Sequence, residues 1–411
     1  MNRQNRLDWL VSCDDHIMEP PHLWQNRVDS VYRDRAPRLI HENGKDFWVF
    51  EDRKTPMLGL LTAMGRPREE WTPDPTTYAS MRPGCYDVQE RLKDMDEGGI
   101  LASLCFGTVT GFAGQMWLNA QDKELALVCL QAWNDWLFEE WVAAAPGRFI
   151  PCIQIPLWDV DLAVAEVERC APKGAKALTF PEQLGALGLP SLNDRNGYWD
   201  PLWAAAEKAR LVICMHQGTG GKRMRTAIDT PEVATMAWAI GTMSSGCLLE
   251  WLFSPVFHRY PNLKIALSEG GIGWMPYFVE RAEEVLNNHR SWAAKGDRRI
   301  DHTTQSLGEA VSNLVDFNTL DIRQLFQKHV SGCFIKDEAG LAMLHIIGED
   351  NVCLETDYPH SDCKWPDSVA HALEQMRHLS DDVKYKVMRG NAERIYQFTP
   401  SEPPFTRTPH A

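Results

Sequence analysis

Four short stretches of this 411-residue chain end in carboxylates and imidazoles whose types and spacing suit metal chemistry. They are Ser12-Cys13-Asp14-Asp15-His16, Ile213-Cys214-Met215-His216, Leu267-Ser268-Glu269-Gly270-Gly271 and Glu355-Thr356-Asp357-Tyr358-Pro359-His360. Each closes an apolar run that reads as a strand. Side chains alternate along a strand, so Asp14 and His16 share one face and Asp15 turns to the other, as a structural carboxylate. Asp14, His16, His216 and Asp357 together would make a mixed nitrogen and oxygen site, suited to divalent Zn, Mn, Fe or Co. An ion there would polarise a substrate oxygen, or lower the pKa of a water from about 15.7 toward about 7, services needed for decarboxylation or hydrolysis.

These residues meet only if their strands are neighbours. Buried apolar runs at 9–13, 101–106, 149–155, 175–180, 211–215, 263–267, 330–335 and 352–354 alternate with amphipathic segments at 88–97, 122–145, 160–170, 200–209, 233–253, 275–288, 338–347 and 368–379. Asp87, Asp159 and Thr230-Pro231 are start signals for three of the helices. Strict alternation leaves a closed (β/α)8 barrel or an open doubly wound sheet. No Gly-x-Gly-x-x-Gly opens the first helix and eight units are present, so an α/β fold of the (β/α)8 TIM-barrel type is expected. Reacting groups in such a barrel collect at the carboxyl ends of the strands, where the four stretches lie.

Residues 1–398 then form a single barrel domain with two insertions. Residues 17–86, after strand one, are rich in Pro, Arg and Trp, with one short strand at 47–50, and residues 292–329 precede strand seven. The proline-rich 399–411 reads as an extended arm. Lys222, Arg223 and Arg225 after strand five read as solvated loop charges that could instead clamp a substrate carboxylate.

Forty-two basic residues against 56 acidic ones leave a net charge of −14 with no basic run, which argues against nucleic acid and anionic membranes as partners. A small-molecule substrate is the expectation. The eleven scattered cysteines include no Cys-x-x-Cys pair, so they read as small core hydrophobes of a reducing, cytoplasmic protein. Trp71, Trp117 and Trp292 look exposed and suggest a homo-oligomer, with a hetero-oligomer as the other option.

At these residues the chain resembles the amidohydrolase superfamily, in its amidohydrolase-related (amidohydrolase 2) branch with aminocarboxymuconate-semialdehyde decarboxylase and γ-resorcylate decarboxylase. The signposts are Asp-Asp-His-Ile-Met-Glu-Pro-Pro at 14–21, His-Gln-Gly at 216–218, His-Arg-Tyr-Pro-Asn-Leu-Lys at 258–264, Glu-Gly-Gly at 269–271, Thr-Asp-Tyr-Pro-His at 356–360 and Gly-Asn-Ala-Glu-Arg-Ile-Tyr at 390–396. The resemblance implies a (β/α)8 barrel with one catalytic metal held by Asp14, His16, His216 and Asp357. The family's decarboxylases carry His in the Gly-Gly motif where Glu269 stands here, which weakens decarboxylation and favours a metal-dependent hydrolase acting through activated water on a small carboxylated or aromatic substrate. Asp357 or Glu269 would then take the proton. A non-oxidative decarboxylase is the first alternative. Glu269 and His360 are also candidate ligands, and a second ion would open a dinuclear, O2-dependent oxygenase. A metal-bearing subunit of a hetero-oligomer is the remaining reading.

Overall fold

A computed structural model of the chain describes residues 6–220, 227–296, 300–301, 306–307 and 312–405. The apolar runs, too short for helices, become the staves of a barrel. They are Leu10–Ile17, Ile100–Gly107, a divided third strand Phe149–Ile150 and Cys152–Ile153, then Ala177–Phe180, Val212–His216, Lys264–Ser268, Val330–Phe334 and Val352–Leu354. All neighbouring pairs are parallel. Pro151 has no N–H and divides the third strand, yet its carbonyl accepts from Lys176 N at 2.9 Å, so the ladder passes through it.

Between the first and last strands the ring closes just beyond the regular ladder. Asp357 N donates to Asp14 O at 2.8 Å, and His16 N donates to Tyr358 O at 2.7 Å. Inside the barrel lie small side chains, among them Cys13, Ala102, Ala177, Cys214, Ala266 and Cys333, with Tyr396 beneath them. All eleven cysteines are free and buried, as small hydrophobes should be.

Around the strands run the helices. Asp87 accepts from Gln89 N and Glu90 N to start Val88–Gly98, and Asp159 accepts from Asp161 N and Leu162 N to start Val160–Cys170. Pro231 directly precedes Glu232–Leu252. Several boundaries differ from expectation: the segment expected at 122–145 is helical over Lys123–Trp136 and continues as a wider π turn to Val142, and that expected at 368–379 ends at Gln375. Met275–Ala293 runs past residue 288, and the segment expected at 338–347 breaks at Met343 into Glu338–Ala342 and Leu344–Ile347. Within 292–329 the helix Ile322–His329, capped by Asp321, buries Leu325 and Phe326 ahead of the seventh strand.

The long segment after strand one holds three strands rather than one: Arg38–Glu42, Lys45–Phe50 and Arg53–Pro56 pair as an antiparallel sheet. Asn43 and Gly44 take left-handed φ of 52° and 73°, the hairpin turn that an Asn-Gly pair favours. Trp117 is fully buried against this segment, 5.8 Å from Trp24 and with Nε1 donating to Gln154 Oε1 at 2.8 Å, which corrects its expected exposure. Trp71 is half-buried, whereas Trp292 is exposed. In the arm, Ser401 N donates to Gly147 O and Phe405 packs edge-on to Trp9.

Asp15 fastens the closing seam from behind. It is buried and accepts from Ser12 Oγ (3.0 Å), Tyr358 N (3.0 Å), Ser103 Oγ and Thr356 Oγ1, joining strands one, two and eight. Arg91, also buried, donates to the carbonyl oxygens of Gly84 and His16 and stacks 4.4 Å over the Tyr358 ring. Stranded buried donors cost about 1–3 kcal/mol each. Asp15→Ala is therefore expected to lower unfolding stability by about 3 kcal/mol or more, and Asp15→Asn, which keeps an acceptor oxygen, by about 1 kcal/mol, read as shifts in the urea midpoint.

Candidate metal centre

The seam brings the separate sequence stretches to one point at the carboxyl end of the barrel. His16 Nε2 stands 3.4 Å from Asp14 Oδ1, 3.1 Å from Asp357 Oδ1 and 3.2 Å from His216 Nε2. His216 Nε2 is also 3.3 Å from Asp14 Oδ2 and 3.5 Å from Glu269 Oε2. His360 Nδ1 lies 2.8 Å from Asp357 Oδ1, and its ring stacks on that of His16 at 3.7 Å between centroids. All six residues named from the sequence thus converge. Asp14, His16 and His216 form one group able to hold an ion, and His16, Asp357 and His360 another.

A divalent cation fits these donors on grounds internal to the site. His216 Nδ1 lies 2.6 Å from the Gln217 carbonyl, which holds the ring proton there and leaves an Nε2 lone pair facing the cluster. Both oxygens of Asp14 and both of Asp357 are buried with no aligned hydrogen bond among the described residues, and so is His360 Nε2. Buried carboxylates left this way demand a positive charge. The Asp14 carboxyl is pushed well up by burial and by Glu355, Asp357 and Glu269. Glu269 is pushed up by burial and by Asp357 and Glu355. Burial would also raise Asp357, but His360 and His16 outweigh it and hold that carboxyl low. His216 is pushed down to about 4 by burial, so it is neutral and ligand-ready at pH 7.

Glu269 and Asp357 both occupy left-handed backbone, with φ of 53° and 55°. Non-glycine residues rarely pay this strain except where geometry requires it. Glu269 does not cap the following helix; Asp337 instead accepts from Ile272 N and Gly273 N at 2.8 and 2.6 Å. The half-buried Glu269 side chain turns to the cluster, while its N–H donates to Glu355 Oε2 at 3.0 Å.

Several contributors escaped the sequence reading. Phe112, after the second strand, brings its ring to 4.2 Å from His216 and 4.5 Å from His16, and Phe106 lies beneath at 5.1 Å from His216. Their spacing from the ligand stretches carries no signal. Glu355 was visible as the first residue of its stretch, but its backbone partner depends on the fold. Lys222, Arg223 and Arg225 lie outside the described residues.

Glu182 follows the fourth strand, is 2 % exposed, and accepts from Ser244 Oγ at 2.7 Å while its other oxygen has no aligned hydrogen bond among the described residues. Burial pushes its carboxyl up to about 7. A raised folded pKa means the native state holds a proton that the unfolded chain has already lost. Stability is therefore fully present below the unfolded value near 4.5 and declines as pH rises through about 7. Glu182→Gln is expected to remove about 2.5 kcal/mol of that decline, measured as the difference in unfolding free energy between pH 5 and 8.

Among the described residues no helix is long and apolar enough to cross a membrane. Compared with known proteins, the chain is 25% identical over 331 residues to γ-resorcylate decarboxylase of Polaromonas sp. strain JS666, covering 78% of this chain and 90% of that one. It is 24% identical over 373 residues to 2-amino-3-carboxymuconate-6-semialdehyde decarboxylase of Dictyostelium discoideum, covering 89% of each. Among solved structures, 5-carboxyvanillate decarboxylase of Sphingomonas paucimobilis matches with a TM-score of 0.63 at 20% identity, over 95% of this chain and 99% of that one. An amidohydrolase of Mycobacterium avium subsp. paratuberculosis matches with a TM-score of 0.67 at 19% identity, over 94% and 97%. These likenesses carry the barrel fold. Since the amidohydrolase family model matches residues 22–398, most of the chain, this protein belongs to the amidohydrolase family.

Proposed function

We propose that the chain is a non-oxidative, metal-dependent decarboxylase of a small aromatic or otherwise unsaturated carboxylic acid. The observation that carries this reading is the buried, charge-deficient cluster of Asp14, His16, His216 and Asp357 in a chain whose named relatives are decarboxylases. The same cluster would serve the hydrolase suggested by Glu269 alone, but the relatives favour decarboxylation.

Asp14, His16, His216 and Asp357 would hold one divalent ion, with Glu269 and His360 beside it. Such an ion, when bound, supplies positive charge that anchors an anionic substrate and stabilises negative charge developing on it. The chain's own groups do the rest. Phe112 and Phe106 offer apolar faces beside His216 for a flat ring. His216, held through Nδ1 by the Gln217 carbonyl, cannot swing away. In the reaction the bond between ring carbon and carboxylate breaks, CO2 leaves, and the electron pair remaining on that carbon takes a proton. Glu269, 3.5 Å from His216 Nε2, is the carboxyl placed to pass that proton, in the role for which the family's decarboxylases use His.

Hydroxylated benzoic acids incubated with Mn-supplemented protein under argon are expected to release CO2 and the matching phenol in equal amounts. Asp357→Asn and His216→Ala should each cut the rate by at least about 100-fold, and Phe112→Ala should raise KM more than it lowers kcat. Water-dependent cleavage of an amide or ester with no CO2 release would contradict the reading.

A further inference from the structure

Outside the metal centre, cationic and aromatic side chains meet in a cleft of about 390 Å³ between the segment after strand one and the loop after strand eight. Arg66, Arg68 and Trp71 come from the first wall, and Lys364, Trp365 and His371 from the second. Asp367 is the acidic residue on its lining. In a chain of net charge −14, this local excess of positive charge calls for a cause.

The indoles are fixed by their own bonds. Trp365 Nε1 donates to Asp94 O at 2.8 Å, and Trp71 Nε1 donates to Arg66 O at 3.2 Å. Arg66 is partly engaged, bonding Thr76 Oγ1 at 3.0 Å and Ser80 O at 2.7 Å. Arg68 and Lys364, by contrast, form no ion pair with a described residue. His371 Nε2 is buried and has no hydrogen-bond partner among the described residues. Burial, then the charges of Lys364 and Lys336, hold its ring toward the neutral form. The guanidinium of Arg68 lies 5.7 Å over the Trp71 ring and that of Arg82 4.3 Å over the Trp365 ring, so cations and indoles share the lining with the imidazole of His371, a combination solvated surface charges do not need.

We propose that this cleft is a second ligand site, one that takes a small aromatic carboxylate with its ring against the indoles and its carboxylate among Arg68, Lys364 and His371. Guanidinium and ammonium groups recognise the carboxylate, and fixed aromatic faces recognise the ring. The position gives the site a consequence. Met64 N donates to Pro359 O at 3.3 Å, and Ser361 N donates to Leu60 O at 3.0 Å, so the two walls are already joined beside the loop carrying Asp357 and His360. A ligand spanning both walls fastens that loop further, and any coupling to the metal centre acts equally in both directions.

The site stands apart from the proposed reaction and is tested without turnover. Full-length protein stripped of metal is titrated with benzoate by calorimetry at pH 7 and low salt. Arg68 and Lys364 line the cleft and not the barrel mouth, so the part of the saturable binding that their substitution removes reports the cleft. One site per chain is expected, at least about tenfold weaker in Arg68→Gln/Lys364→Gln and weaker for cyclohexanecarboxylate than for benzoate. Both substituted residues are at least partly exposed, and an unchanged thermal midpoint establishes that the variant is folded. Absence of saturable binding, or wild-type affinity in the folded double variant, overturns the site; equal affinity for the two acids overturns its aromatic character.

Discussion

The structure depends on the seam where the last strand meets the first. Two backbone bonds, Asp357 N to Asp14 O and His16 N to Tyr358 O, complete the barrel beyond the reach of its regular ladder. The same residues supply three of the four candidate metal ligands, so closing the fold and assembling the site are one event. Asp15 accounts for the coupling: its buried carboxylate collects donors from strands one, two and eight. A shift of strand one by a single residue would exchange Asp15 with the ligands on its flanks and lose both functions.

What the seam gathers is electrically costly. Asp14, Glu269, Glu355 and Asp357 crowd together at a buried barrel mouth, with the neutral imidazole of His216 among them. In low dielectric such a group persists only by holding protons or a cation. Left-handed backbone at Glu269 and Asp357 adds strain at the same place. Both costs are understandable if a divalent ion is the missing partner, because one charge then satisfies several carboxylates at once. The overall acidity of the chain thus acquires a local meaning in four of its carboxylates.

Much of this was legible before any coordinates. Strand side-chain alternation put Asp14 and His16 together and Asp15 apart, and the Asp87 and Asp159 caps marked their helices. Other features depend on contacts that no local pattern encodes. The aim of Glu269 follows from its positive φ, and the walls at Phe106 and Phe112 from their ring contacts with His216, which comes from a strand that is not a neighbour of theirs. Trp117 looked exposed because it falls outside the strand and helix runs of the sequence, whereas Trp24 and Phe50 cover it in space. Asn43-Gly44 was a readable hairpin signal whose flanking strands were hidden by their charged edges. The relatives then moved the functional reading from hydrolysis to decarboxylation, a choice the donor set by itself does not make.

The most direct measurement of the central claim is an anomalous-difference map from crystals of the manganese-loaded protein. A manganese peak is expected within bonding distance of Asp14, His16, His216 and Asp357, on the barrel side of the closing seam. A manganese peak elsewhere, or one that leaves Asp14 and His16 unligated, would contradict it.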